Sequence, residues 1–194
     1  MTNIRISSLL SLFIEICFSF LIISTTSVYN IGSIILIIIS IVLSIFAIFK
    51  NFTKLEIISY CMAIVATLLL RNRNENYIQS DFYLDSWFKI LFTNKTVFVN
   101  VIGNILIYIP LYILIRHESN SKLLIIYFLI GIVFIEFMQY ILKVGVFDIA
   151  DIVLNFLGVL IVHLFLEVKE WQKNRREKMT KSENKKSSKR LKKK

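Results

Sequence analysis

Read as apolar and polar positions, the chain is a series of long apolar runs separated by short polar interruptions. The first run covers 9–28 and is broken only by Glu15. The second, 31–49, is almost wholly Ile, Leu, Ser and Phe. The third, 55–70, is short against the ~20 residues that cross a bilayer. Runs over 98–115, 123–142 and 147–166 complete the set. Apolar stretches of this length predict an all-α fold: a polytopic transmembrane helical bundle of about six spans. The polar interruptions predict the loops, of which 71–97 is the longest. Within it, Phe82, Trp87, Phe88, Leu91 and Phe92 alternate with charges, as in a short helix lying on the bilayer surface. The last stretch, 169–194, is rich in Lys and poor in apolar residues, which predicts a disordered tail. The expected organisation is two helices in 1–54, a four-helix membrane domain in 55–168, and the tail.

Polar residues inside the runs are the exceptions that carry information, because ionisable groups in hydrocarbon are expensive. Glu15 argues against reading the first run as a cleaved signal, and a carboxylate paired within the bundle is the expectation. In the fourth run Asn100, Asn104 and Tyr108 recur every four residues on one face. Pro110 follows and predicts a kink, since it removes a backbone donor and frees a carbonyl that must find another partner. The densest polar stretch is IEFMQYILKVGVFDIADIVLNFLG, residues 135–158. Glu136 and Gln139 share one helical face; Asp148, Asp151 and Asn155 share another. Gly145 lies between the two groups, and a turn there would bring all five side chains together.

Composition and charge refine this picture. Fifty-six percent of the residues are hydrophobic and mean hydropathy is +0.70, as membrane runs require. The net charge of +10 lies in the tail, where 13 Lys or Arg stand against three Glu. The basic balance therefore gives no sign of a nucleic-acid partner. Cytoplasmic loops are enriched in Lys and Arg. Placing the tail inside puts 18 such residues on the cytoplasmic side and five outside. A multi-pass protein of the cell membrane follows, with both termini cytoplasmic and 71–97 extracytoplasmic. Asn104, Glu136, Asp151 and Asn155 then fall within about 5–10 Å of the outer ends of their helices, so three helices offer polar groups at one depth.

The chemistry this set can support is limited. Cys17 and Cys61 lie in apolar runs and read as buried thiols. No Cys/His spacing suggests a metal, no cofactor motif is present, and no nucleophile has a base beside it, so there is no candidate catalytic residue. Three readings remain. A purely structural hydrogen-bond network accounts for Asn104, Gln139 and Asn155 more readily than for three carboxylates. Glu136 and Asp151 could serve a membrane-embedded enzyme or an ion- or proton-coupled transporter. The preferred reading is a ligand-binding cavity formed by Asn104, Glu136, Gln139, Asp148, Asp151 and Asn155. It would open to the outer leaflet, with membrane lipid or a cationic, amphipathic small molecule as partner.

Three of these motifs, GNILIYIPLY around Asn104 and Pro110, E-x-x-Q at Glu136 and Gln139, and DIADIVLNFLG from Asp148 to Gly158, occur in order. Over about 57–166 the chain resembles the VanZ-like family of small integral membrane proteins of mostly Gram-positive bacteria. Two positions depart from the family pattern. Gly145 and Val146 stand where an Arg often precedes the first Asp, and Leu111 stands where a Gly often follows the Pro. The resemblance implies a cell-envelope context and a link to glycopeptide, teicoplanin-type, antibiotic resistance. It names no reaction.

Overall fold

The computed structural model describes residues 8–20 without 10 and 18, 31–70, 95–119, 121, 123–145 and 147–191. Residues in 8–20 form an N-terminal helical segment. Among the described residues six helices follow: α1 Ile31–Lys50, α2 Thr53–Leu68, α3 Lys95–Ile107, α4 Ile109–Glu118, α5 Leu124–Leu142 and α6 Ile149–Leu191. Among the described residues, four stretches are long and apolar enough to cross a membrane: Ile31–Lys50, Val97–Glu118, Leu124–Leu142 and Ile149–Lys181. The third predicted span is α2, whose 16 residues reach only about 24 Å against a ~30 Å hydrocarbon core. The expected surface helix in 82–92 lies outside the described residues.

The polarity of the bundle is inverted relative to a water-soluble core. Its exposed positions include Ile31, Phe49, Ile130, Phe134 and Phe165. Its buried positions include Ser33, Ser40, Ser44, Ser59, Glu15, Glu56, Glu136 and Asn155. Lipid covers the first set at no cost, whereas each polar group in the second needs a protein partner. The bundle is therefore held by hydrogen bonds and close packing of small residues as well as by shape.

α1 and α2 form an antiparallel hairpin. Ser33, Ile37, Ser40, Ser44 and Ala47 make the buried face of α1, a stripe of small residues that lets backbones approach. Asn51 turns the chain with φ 55°. α2 packs on α4 as well. Between α4 and α5, Tyr112 and Phe128 meet edge to face at 5.0 Å.

The fourth span breaks as Pro110 predicts, two residues earlier than the proline itself. α3 stops at Ile107 and α4 starts at Ile109. Pro110 sits in the first turn of α4, where its missing N–H is tolerated. At the break the Tyr60 hydroxyl of α2 donates to the Ile107 carbonyl at 2.9 Å, so a carbonyl at the interruption has a partner within the protein. Tyr60 is 3% exposed.

Two expectations are corrected. The basic tail is helical through Leu191; it continues a helix that is already nucleated, and its Lys, Arg, Glu and Gln residues favour helix. Cys61 is exposed on the bundle surface, and Cys17 is half-buried. The α5–α6 turn includes Gly145, where its position predicts a turn, and Lys143 takes the left-handed conformation there with φ 56°.

Candidate functional site

The polar residues of 135–158 enter the bundle from α5 and α6. Asp148 precedes α6, and its Oδ1 accepts the Ala150 N–H at 2.8 Å. That is an N-cap, which gives a donor of the first turn its acceptor. Asp151 lies in the same first turn, where the helix dipole favours a carboxylate. Asn155 follows one turn later on the same face and is 2% exposed.

Two contacts hold α6 to α3. Asn104 Nδ2 donates to Asp151 Oδ1. Further along, Gly158 lies so close to Ile105 that an added methyl would stand 2.9 Å from its carbonyl carbon, and closer still to the oxygen. Glycine is needed there because only a residue without a side chain lets the two backbones meet. Gly158 thus sets the approach that Asn104 and Asp151 use.

On α5, Glu136 is 3% and Gln139 6% exposed. Tyr108, one turn beyond Asn104, is also buried. Gln139 closes the helix end: its carbonyl accepts the Val144 N–H at 3.1 Å and the Gly145 N–H at 3.4 Å. Its side chain packs on the turn, since a methyl on Gly145 would come 3.0 Å from Gln139 Oε1. A side chain at Gly145 would have to displace that of Gln139.

The sequence-predicted residues thus separate by what they touch. Asn104 and Asp151 bond directly, with Asn155 beside them. Glu136 is buried on α5. Asp148 and Gln139 serve the helix ends that frame the turn. Asn155 Oδ1 is fully buried with no hydrogen-bond partner among the described residues. An unsatisfied buried acceptor costs ~1–3 kcal/mol. Asn100, on the predicted polar face of α3, is exposed. Among the described residues, no three of His, Cys, Asp and Glu are grouped to hold a metal ion.

A second polar cluster joins the N-terminal segment, α1 and α2. Glu15 accepts Ser40 at Oε1 and Ser44 at Oε2, each at 2.9 Å. Ser44 and Ser59 share a 2.7 Å bond. Ser11 donates to Glu56 Oε1 at 2.8 Å. The expected pairing of Glu15 within the bundle is thus made by hydroxyls. Glu56 and these serines did not figure among the sequence candidates. Their signal was present: Ser8, Ser11, Glu15 and Ser19 fall at i, i+3, i+7 and i+11, and Ser33, Ser40 and Ser44 share a face.

Comparison with known proteins gives one family. A family model described as VanZ/LLP1 matches residues 34–170. No curated protein and no solved structure matches the chain.

Proposed function

The chain belongs to the VanZ/LLP1 family, and on that premise we propose that it binds the head of an amphipathic ligand at the Asn104–Asp151–Asn155 cluster. The observation that carries this reading is the buried Asn155 Oδ1, left without a bond one turn from an Asp151 already held by Asn104. A ligand N–H or O–H would satisfy that acceptor. Asp151 and Glu136 would favour a cationic or hydroxyl-bearing group. Glu136 and Asn155 complete one cavity with Asn104 and Asp151; Gln139 and Asp148 frame it. The setting is the bacterial cell envelope, with both termini cytoplasmic and the cluster in the outer leaflet. The family link suggests resistance to teicoplanin-type glycopeptides as the phenotype.

Asp151→Asn separates this reading from a purely structural network. The amide keeps nearly the same shape and can still bond Asn104. A structural network therefore tolerates it, whereas a site that uses the carboxylate loses function at unchanged protein level. The readout is growth of an expressing Gram-positive host in teicoplanin, with membrane protein quantified by blot. Full resistance in Asp151→Asn and Glu136→Gln together would refute the binding reading. If function is lost and uptake of a cation or proton changes with it, the same carboxylates serve transport.

A further inference from the structure

The charged end of α6 carries an exposed face with a regular composition. The apolar run of this helix ends at Leu166, and Glu167, Lys169 and Glu170 follow. The helix does not stop there; it continues to Leu191. Val168, Trp171, Arg175 and Met179 stand at i, i+3, i+7 and i+11, which is one face. Val168 is 53%, Trp171 60% and Met179 55% exposed, and Arg175 is exposed between them. The Arg175 guanidinium lies over the Trp171 ring, 5.4 Å from its centroid. Lys178 borders the same face, seven residues after Trp171.

Direction and depth restrict what this face meets. In an α-helix each Cα–Cβ bond tilts toward the N-terminus. Beyond Leu166 that direction points back along α6 to its apolar run, so long side chains there reach toward hydrocarbon. Arg175 does so, since its guanidinium stands at Trp171, one turn back. Trp171 is five residues past Leu166, about 8 Å at 1.5 Å per residue. A bilayer carries about 5–7 Å of headgroup layer on each side of its hydrocarbon core. The ring and the guanidinium therefore reach the level of lipid phosphates, where tryptophan is enriched. A guanidinium stacked on a ring keeps its in-plane N–H donors, which fit a phosphate as a fork. The surrounding charge has the matching sign: between Glu167 and Lys181 six Lys or Arg stand against three Glu. Glu170 is adjacent to Trp171 in the chain and so does not share its face.

We infer that the Val168–Trp171–Arg175–Met179 face docks on the headgroups of an anionic phospholipid leaflet, with the Arg175 guanidinium on a lipid phosphate. The apolar members seat at the top of the acyl chains, and the cations that follow favour lipid of net negative charge. A second copy of this chain is the poorer occupant, because it would set one basic helix against another. The inference stands without the reading of the Asn104–Asp151–Asn155 cluster.

Trp171 itself reports the outcome once Trp87, the other tryptophan, is replaced by Phe. The full-length Trp87→Phe protein is reconstituted into vesicles of phosphatidylglycerol and phosphatidylcholine in equal parts. Bromine is carried at the top of the acyl chains by the first lipid in one preparation and by the second in the other. Quenching of Trp171 then measures which lipid lies beside it. Phosphatidylglycerol is expected to be enriched about fivefold over the bulk mixture, equivalent to ~1 kcal/mol. Arg175→Gln should remove most of that preference with helix content unchanged, and Arg175→Lys, which keeps the charge without the fork, should restore part of it. Deleting 182–194 should leave the preference in place. Quenching by neither lipid would put Trp171 outside the headgroup layer and overturn the docking face. Equal quenching by both in the parent would overturn the anionic assignment. A preference that survives Arg175→Gln and falls on deletion of 182–194 would belong to the diffuse charge of the tail and overturn the role of Arg175. Loss of the preference on adding inorganic phosphate or RNA at constant ionic strength would assign the face to a free phosphate or a nucleic acid, and would overturn the lipid assignment.

Discussion

Two glycines in neighbouring helices should respond to the same substitution with opposite signs. At Gly158 an alanine methyl would stand 2.9 Å from the Ile105 carbonyl carbon and 3.3 Å from its Cα, against an ordinary contact of ~3.5–4.0 Å. α3 and α6 must part by roughly 1 Å, counting from that ordinary contact. The Asn104–Asp151 bond crosses the same two helices, and a hydrogen bond lengthened from ~2.9 Å by that amount is lost. Overpacking costs about 1–3 kcal/mol, and an interhelical polar contact is worth ~0.6–2 kcal/mol. Alanine's better helix propensity returns about 1 kcal/mol. The net loss expected for Gly158→Ala is therefore about 1–4 kcal/mol. At Gly131 an added methyl meets nothing within 4 Å, so only the propensity term acts, and Gly131→Ala should be neutral or stabilised by up to ~1 kcal/mol. Reversible unfolding in mixed micelles, followed by helix signal against denaturing detergent, measures both. Shifts of the same sign for the two variants would refute the close crossing at Ile105.

Other outcomes follow from the same contacts. Ser44→Ala removes a donor to Glu15 and a partner of Ser59, and should destabilise by ~1–3 kcal/mol in the same unfolding assay. Tyr60→Phe removes the hydroxyl at the α3–α4 break and should cost ~0.5–1.5 kcal/mol while leaving helix content unchanged. In a cysteine-free background, Lys143→Cys should react with an impermeant thiol reagent in whole cells and Lys178→Cys should not; the reverse pattern would invert the topology. Deleting 178–194 should leave insertion and resistance intact, measured by membrane fractionation and teicoplanin growth.

The helix boundaries were legible because membrane length and apolar run length measure the same thing. The runs at 31–49, 55–70 and 123–142 end within two residues of α1, α2 and α5. Asn104 and Asp151 were legible as polar intrusions, and they do bond. Less legible was the division of labour among neighbours. Asp148 reads as a site residue by periodicity, yet D-I-A-D is also an N-cap followed by an acid in the first turn, and the cap is what forms. The tail was misread because a lack of apolar residues argues against a core; it does not argue against extending an existing helix that meets no Gly or Pro after Gly158. The serine–glutamate cluster was missed because serine in an apolar run looks like dilution. Only its spacing shows that Ser40 and Ser44 share the face that meets Glu15.

The order in which the two polar clusters are completed follows from where their members lie in the chain. Among the described residues, the hydrogen-bond partners of Glu15 and Glu56 have been made once residue 59 leaves the ribosome. Asp151 comes 47 residues after Asn104. At ~5–20 residues per second, Asn104 waits about 2–9 s for its carboxylate. The N-terminal hairpin can therefore settle with its carboxylates already bonded, while α3 enters the membrane carrying an amide whose partner does not yet exist. Slowing synthesis between residues 104 and 151 would therefore lengthen the wait of that amide and leave the N-terminal hairpin untouched.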